Sequence, residues 1–183
     1  MKTEKISPYA YRILDFLSDE HFQYLQNLFH KNHLQMYDSY EQVETIYLKE
    51  PYKQDKNYSE FIIFGKVLSR LWKKEFVLNS DVILCRLNEW WLINEHIDDY
   101  SHIQCVLHMT DGWNNGGDLY VEGTRVIPIK NSVVFFLWQT KHRVSRVDEK
   151  RSRMSISFWY VEETQKEEMY AKYFNLKKQY SWL

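Results

Sequence analysis

Apolar and polar residues alternate in two rhythms along this chain, and the change falls near residue 80. Before it the spacing is helical. Ser18 is a good N-cap, Asp19 and Glu20 place acid in a first turn, and Phe22, Leu25 and Phe29 share one face, so a helix is expected from Asp19 to about Lys31. Asn57 or Ser59 caps a second helix to about Glu75, with Phe61, Phe64, Val67, Leu68 and Leu71 as its apolar stripe and Lys73 and Lys74 near its end. Tyr11–Leu17 reads as a short strand or lead-in. Residues 34–56 are polar and Tyr-rich with a turn signal at Glu50-Pro51, and short strands or an ordered loop are expected there.

Beyond Asn79-Ser80 the period becomes two. Strands are expected over Asp81–Leu87, Ile103–Met109, Asp118–Val121, Arg125–Ile129, Ser132–Trp138, His142–Val147 and Ser152–Val161, with turns at Asp111–Asn115 and Glu122-Gly123. Short strands in that number pack as one sandwich or barrel. In the last strand Met154, Ile156, Phe158 and Tyr160 share a face suited to packing on helices. Arg153, Ser155, Ser157 and Trp159 then face the interior. A buried Arg is costly unless paired. A bound dicarboxylate would pair it in bidentate fashion, with Ser155 adding a hydroxyl; a core Asp or Glu would be the structural alternative. The charged tail from Glu162 to Leu183 has Met169, Tyr173 and Leu176 at helical spacing and reads as an outer helix. One domain over 1–183 is expected: 1–80 as helical support, 81–161 as the β core, 162–183 as the terminal helix.

Composition narrows the partners. The chain has 183 residues, 44% hydrophobic and 27% charged, as in an ordinary globular domain. Aromatics at 17% must fill a core, a pocket or an interface. A net charge of -1 gives no electrostatic case for nucleic acid or an anionic membrane. Cys85 and Cys105 sit in apolar runs and read as two buried thiols; without a CxxC, a structural zinc site is not expected. The N-terminal residues lack an apolar h-region, and no apolar run reaches membrane-spanning length, so a cytoplasmic protein is expected.

The candidate chemistry lies between Asn94 and Tyr160. His96 and Asp98 are two apart, which in an extended segment puts both on one face, able to bind one metal. Two His and one carboxylate form the facial ligand set of non-haem Fe(II) oxygenases, leaving the opposite side of the metal open. On the residues alone the third ligand is open among His102, His108 and His142. His108 shares a face with Gln104 and Val106, where it is either a core histidine or a donor to a bound acid. His21, His30 and His33 read as surface residues.

The ordered set His96-Ile97-Asp98, Gly116-Gly117-Asp118-Leu119, Pro128–Phe136, His142-Arg143-Val144 and Arg153–Trp159 resembles the catalytic half of the prolyl 4-hydroxylase-like branch of the 2-oxoglutarate and Fe(II)-dependent dioxygenases. Asp15–Glu20 resembles the entry to that family's first helix, and the match covers about residues 12–30 and 81–161. The resemblance implies a mainly β fold, a double-stranded β-helix or jelly roll buttressed by helices. It implies Fe(II), 2-oxoglutarate and O2, with ascorbate in support; a reducing compartment suits such a metal. It implies His96, Asp98 and His142 as iron ligands, Arg153 on the distal carboxylate of 2-oxoglutarate, Ser155 completing an Arg-x-Ser pair, and His108 and Leu119 against the cosubstrate. The implied reaction hydroxylates an unactivated C–H bond of an amino acid or peptidyl residue, proline among the candidates, while 2-oxoglutarate is decarboxylated to succinate. Related halogenases lack the carboxylate, so Asp98 points to hydroxylation, with desaturation or cyclisation as variants of the same chemistry.

The family's Gly-rich run before the first His is here Arg86–Ile93, without Gly or Tyr. The resemblance implies that this segment borders the substrate, and Arg86, Trp90, Trp91, Trp113, Arg143 and Trp159 are the candidate contacts to a small molecule or peptide. Asn131 stands where Gly is common, and Asn tolerates a left-handed turn. The competing reading is a cupin-like jelly roll that binds a small ligand without redox chemistry; it leaves Arg153 unexplained.

Overall fold

The computed structural model describes residues 2–31, 36–37, 43–48, 58–79, 82–112, 116–148 and 152–180. Its helices are α1 (Asp19–Lys31), α2 (Ser59–Trp72) and α3 (Lys166–Tyr180). Its strands are β1 (Lys2–Lys5), β2 (Ala10–Leu14), β3 (Met36–Tyr37), β4 (Val43–Leu48), β5 (Phe76–Leu78), β6 (Val82–Leu87), β7 (Ile93–His96), β8 (Ile103–His108), β9 (Leu119–Val121), β10 (Thr124–Val126), β11 (Ser132–Leu137), β12 (His142–Val144) and β13 (Arg153–Glu162).

The strands form two antiparallel sheets. The larger has the order β1-β2-β11-β8-β13-β6-β4-β3, with β5 added against β13; the smaller has the order β10-β9-β12-β7. Chain neighbours are therefore separated within and between sheets, which is the jelly roll. Two apolar layers hold it. On the outer face of the large sheet Leu107, Phe135, Ile156, Phe158 and Tyr160 meet Leu25 and Phe29 of α1 and Phe61, Phe64 and Leu68 of α2. Between the sheets Ala10, Leu87, Val106, Leu119, Val121, Val134, Phe136 and Val144 form a second cluster. β13 supplies both: its even positions pack on the helices, and its odd positions face inward with Arg153, Ser155 and Trp159 all buried.

Local details follow the residue chemistry. The Ser18 hydroxyl accepts from the His21 amide at 3.3 Å, capping α1. Asn131 adopts a left-handed φ of 57°, and its side chain holds both backbone groups of Leu17, at 3.0 and 2.9 Å. It thus ties the entry of α1 to the start of β11. The two cysteines are free and lie on opposite faces of the large sheet, Cys105 among the helix-facing residues and Cys85 against the inner cluster. Among the described residues no helix is long and apolar enough to cross a membrane.

The structure departs from the periodicity in places. β1 to β4 extend the large sheet, β2 overlapping the strand or lead-in expected at Tyr11–Leu17 and β3 and β4 falling where short strands or an ordered loop are expected. β7 carries Asn94, Glu95 and His96 and shows no apolar alternation; its pairing with β12 makes it a strand. The expected strand from Arg125 stops at Val126, before Pro128, which has no amide to donate. Asn57 and the side chains of Tyr173 and Leu176 lie outside the described residues, while Met169 of α3 is buried.

Candidate active site

The small sheet brings the first pair of candidate ligands together. β12 lies between β9 and β7, with His142 directly opposite His96 and a register irregularity just beyond it. The two imidazoles are 4.1 Å apart between centroids. Asp98 follows two residues after His96 and turns its buried carboxylate toward them. His96 Nε2 lies 3.7 Å from Asp98 Oδ1, and His142 Nε2 lies 3.9 Å from Asp98 Oδ2. All three ligand atoms lie within 4.8 Å of one another.

Each of the three is held in a state suited to a metal. His96 Nδ1 lies 2.8 Å from the Asn94 carbonyl and His142 Nδ1 lies 3.1 Å from the Thr140 carbonyl. A carbonyl only accepts, so Nδ1 carries the proton in both rings and Nε2 presents its lone pair. Burial lowers the His142 pKa and the His96 ring adds to this, opposed by the Asp98 carboxylate and the bond to Thr140. The Trp159 indole donates to Asp98 Oδ2 at 2.8 Å, which orients the carboxylate and leaves Oδ1 toward His96. Tyr100 packs on the same indole at 5.6 Å. The His96 side chain is 38% exposed against 5% for His142, so the cluster opens to solvent on the β7 side.

A second polar group sits further along the same inner face. Ser155 lies directly opposite His108 on β8. Arg153 is buried; its Nη1 donates to Ser155 Oγ at 2.8 Å, while Nε and Nη2 have no partner. Those two nitrogens share one edge of the guanidinium, the edge that takes a carboxylate in bidentate fashion. Burial lowers the Arg153 pKa to about 10, opposed by Cys85 and Asp118. His108 is fully buried with both ring nitrogens unpartnered, and burial first, then Arg153 and Arg12, push its pKa well down. It is therefore a neutral imidazole with one donor to offer. Gly117 fits over this group: with φ at +73°, any Cβ would lie 3.4 Å from Arg153 Cδ. Leu119 is buried in the inner cluster.

A buried cation with a whole donor edge unmet is costly unless an anion fills it. The residues therefore fit both implied groups. His96, Asp98 and His142 fit a divalent iron, and Arg153, with Ser155 and His108, fits a carboxylate. β8 spans the two sites: Gln104 at the metal cluster and His108 at the anion site are four residues apart, about 13 Å along a strand.

The other candidates are dispersed. Trp91 packs at the edge of the inner cluster, and Trp90 is 52% exposed on a turn with a left-handed φ. Arg143 points away from the cluster because His142 points in; it lies 3.9 Å over the Tyr120 ring. Arg86 lies on the helix-facing side of β6 and donates to the Phe29 carbonyl at 2.5 Å. Trp113 lies outside the described residues. His102 is engaged elsewhere, with Nε2 at 2.7 Å from Gln165 Oε1 and Nδ1 accepting from the Glu162 amide at 3.1 Å. Two features were not foreseen: Trp159 as the partner of Asp98, and Gln104, whose amide nitrogen lies 3.1 Å from His142 Nε2. The shared face of Gln104, Val106 and His108 was the available signal for the second.

Comparison with known proteins gives one family match. Residues 87–161 match the model of the 2OG-Fe(II) oxygenase superfamily. Among solved structures, the chain is similar to the viral collagen prolyl hydroxylase of Paramecium Bursaria Chlorella virus-1 in its 2OG complex, with a TM-score of 0.69 at 16% identity over 84% of this chain and 96% of that one. It is also similar to a prolyl-4-hydroxylase from Pseudomonas putida, with a TM-score of 0.66 at 16% identity over 85% of this chain and 94% of that one. The alpha ketoglutarate dependent epimerase SnoN from nogalamycin biosynthesis reaches 0.66 at 10% identity, over 84% and 77%. At such identities the likeness is one of fold. No curated protein sequence matches the chain.

Proposed function

From the match of residues 87–161 to the 2OG-Fe(II) oxygenase superfamily and the His96, Asp98, His142 cluster, we propose that the chain hydroxylates an unactivated C–H bond of an amino acid or of a residue within a peptide, proline among the candidates. The enzyme uses Fe(II), 2-oxoglutarate and O2. One observation supports this reading over halogenation: all three facial positions have a protein donor, His96, Asp98 and His142, with Asp98 already oriented by Trp159. The non-redox binding reading falls away with the family match.

His96 and His142 would hold the metal through Nε2, and Asp98 through Oδ1. When bound, the iron supplies activation of dioxygen coupled to oxidative decarboxylation of 2-oxoglutarate to succinate and carbon dioxide. Arg153 would clamp the distal carboxylate along its Nε–Nη2 edge, with Ser155 fixing the guanidinium and the neutral His108 donating to a carboxylate oxygen. The inner apolar cluster, with Leu119, Val106 and Val144, excludes water around that chain. The exposed side at His96 is where a substrate would approach.

The test is direct. Apo-protein given Fe(II) and 2-oxoglutarate without oxygen should develop a weak visible charge-transfer band. In air, a screen of free amino acids and of peptides, proline-containing ones included, should find one that stimulates succinate release. Absence of both the band and succinate sinks the proposal. A product two mass units lighter than substrate would replace hydroxylation with desaturation or cyclisation.

A further inference from the structure

Gln104 is a buried amide that the metal site alone does not use. It is 4% exposed and sits on β8 between Trp159 of β13 and Phe136 of β11. Trp159 holds Asp98, and the Phe136 ring packs on His142 at 5.1 Å. Gln104 is therefore fixed among the residues that fix the ligands. Its Nε2 lies 3.1 Å from His142 Nε2, and its Oε1 is buried without a partner. Since His142 Nδ1 carries the proton, the lone pair on His142 Nε2 accepts this amide hydrogen. That lone pair is the one a metal would take.

We infer that Gln104 is a positioning residue that exchanges partners on loading: it holds His142 Nε2 in the metal-free protein and turns its amide to an oxygen ligand of the metal once the metal is bound. The inference rests on the metal-site reading above. A metal on His142 removes the amide's one partner and leaves a donor and an acceptor unmet in a buried place, which is unfavourable. The groups that arrive with the metal can satisfy both. A carboxylate or keto oxygen accepts from Nε2, and a water can donate to Oε1. Gln104 therefore opposes metal binding slightly and favours cosubstrate binding, so the metal is held best when 2-oxoglutarate is present.

Co(II) serves as the probe, since its visible spectrum reports the ligand sphere and it needs no anaerobic handling. Gln104→Met, similar in length and without hydrogen bonds, should bind Co(II) about two- to ten-fold more tightly than wild type, the loss of one competing neutral hydrogen bond. The same variant, loaded with Co(II), should bind 2-oxoglutarate about ten-fold more weakly and give a displaced Co(II) band. Gln104→Leu, which can neither donate nor accept, should move both affinities in the same directions. In the wild-type protein, the Gln104 side-chain amide resonance should shift on adding Zn(II) and again on adding 2-oxoglutarate; this measurement does not depend on a variant folding. Weaker Co(II) binding in the variants would make Gln104 an ordinary support of His142. Unchanged affinities, or an amide resonance that ignores 2-oxoglutarate, would also overturn the exchange. If wild type binds no Co(II), the metal-site reading fails along with it; if wild type binds Co(II) and 2-oxoglutarate and only the Gln104 outcomes fail, that reading stands.

Discussion

At the scale of single residues, the site depends on who holds the ligands. Asp98 has two oxygens, and Trp159 takes one of them. Trp159→Phe keeps an aromatic ring of similar packing and removes the donor, so metal affinity should fall about ten-fold, as for other outer partners of metal ligands, in a Co(II) or Mn(II) titration. His96→Ala, Asp98→Ala or His142→Ala should abolish the anaerobic charge-transfer band. Arg153 makes a different claim. Arg153→Met removes the anion's partner without touching the metal cluster, so 2-oxoglutarate affinity should drop by about 100-fold or more while metal affinity holds within about three-fold, measured by titrating each separately. Equal loss of both would make Arg153 structural.

At the scale of elements, the large sheet acts as a plate with helices behind it and chemistry in front. α2 lies close enough to β13 that a Cβ on Gly65 would come within 2.9 Å of Tyr160 Cε1 and 3.3 Å of the Phe76 carbonyl. Gly65→Ala gains about 1 kcal/mol of helix propensity but forces α2 off the sheet, and overpacking of this kind costs about 1–3 kcal/mol. A lower melting temperature is expected; a higher one would show that the Tyr160 ring can retreat. β8 and β13 are the elements that join the two halves of the site, because their odd or even positions alternate between helix packing and chemistry. A slip of one residue in their register would bury Arg153 against α2 and send Phe158 inward.

At the scale of the whole molecule, stability should depend on pH. His108 is buried next to Arg153 and Arg12, and its pKa is well below the ordinary 6.5. The unfolded chain therefore binds a proton near pH 6.5 that the folded protein refuses, so the folded state binds fewer protons and stability falls as pH drops below about 6.5. The melting temperature of the apo-protein should decline through that window. His108→Phe should flatten the slope, and an unchanged slope would place the acid sensitivity elsewhere. 2-Oxoglutarate adds negative charge beside His108 and should make the decline shallower, readable in the same melts.

Much of this was written in the linear pattern. Period two over 82–161 and the alternation Arg153, Ser155, Ser157, Trp159 placed a buried Arg on an inward face, and α1 and α2 followed from their apolar stripes and the Ser18 cap. These are local: strand and helix periods are properties of neighbours in the chain. The spacing of His96 and Asp98 is local too, and so was legible. What needed the folded chain were the contacts between distant segments. Choosing His142 over His102 and His108 required either the family resemblance or the pairing of β7 with β12, because that pairing brings the two imidazoles to 4.1 Å between centroids. The polar β7 strand, the Trp159 bond to Asp98, the Gln104 bond to His142 and the removal of Arg86 to the helix side all depend on which strand lies beside which. Sequence spacing determines which face a side chain takes; sheet order determines what it meets there.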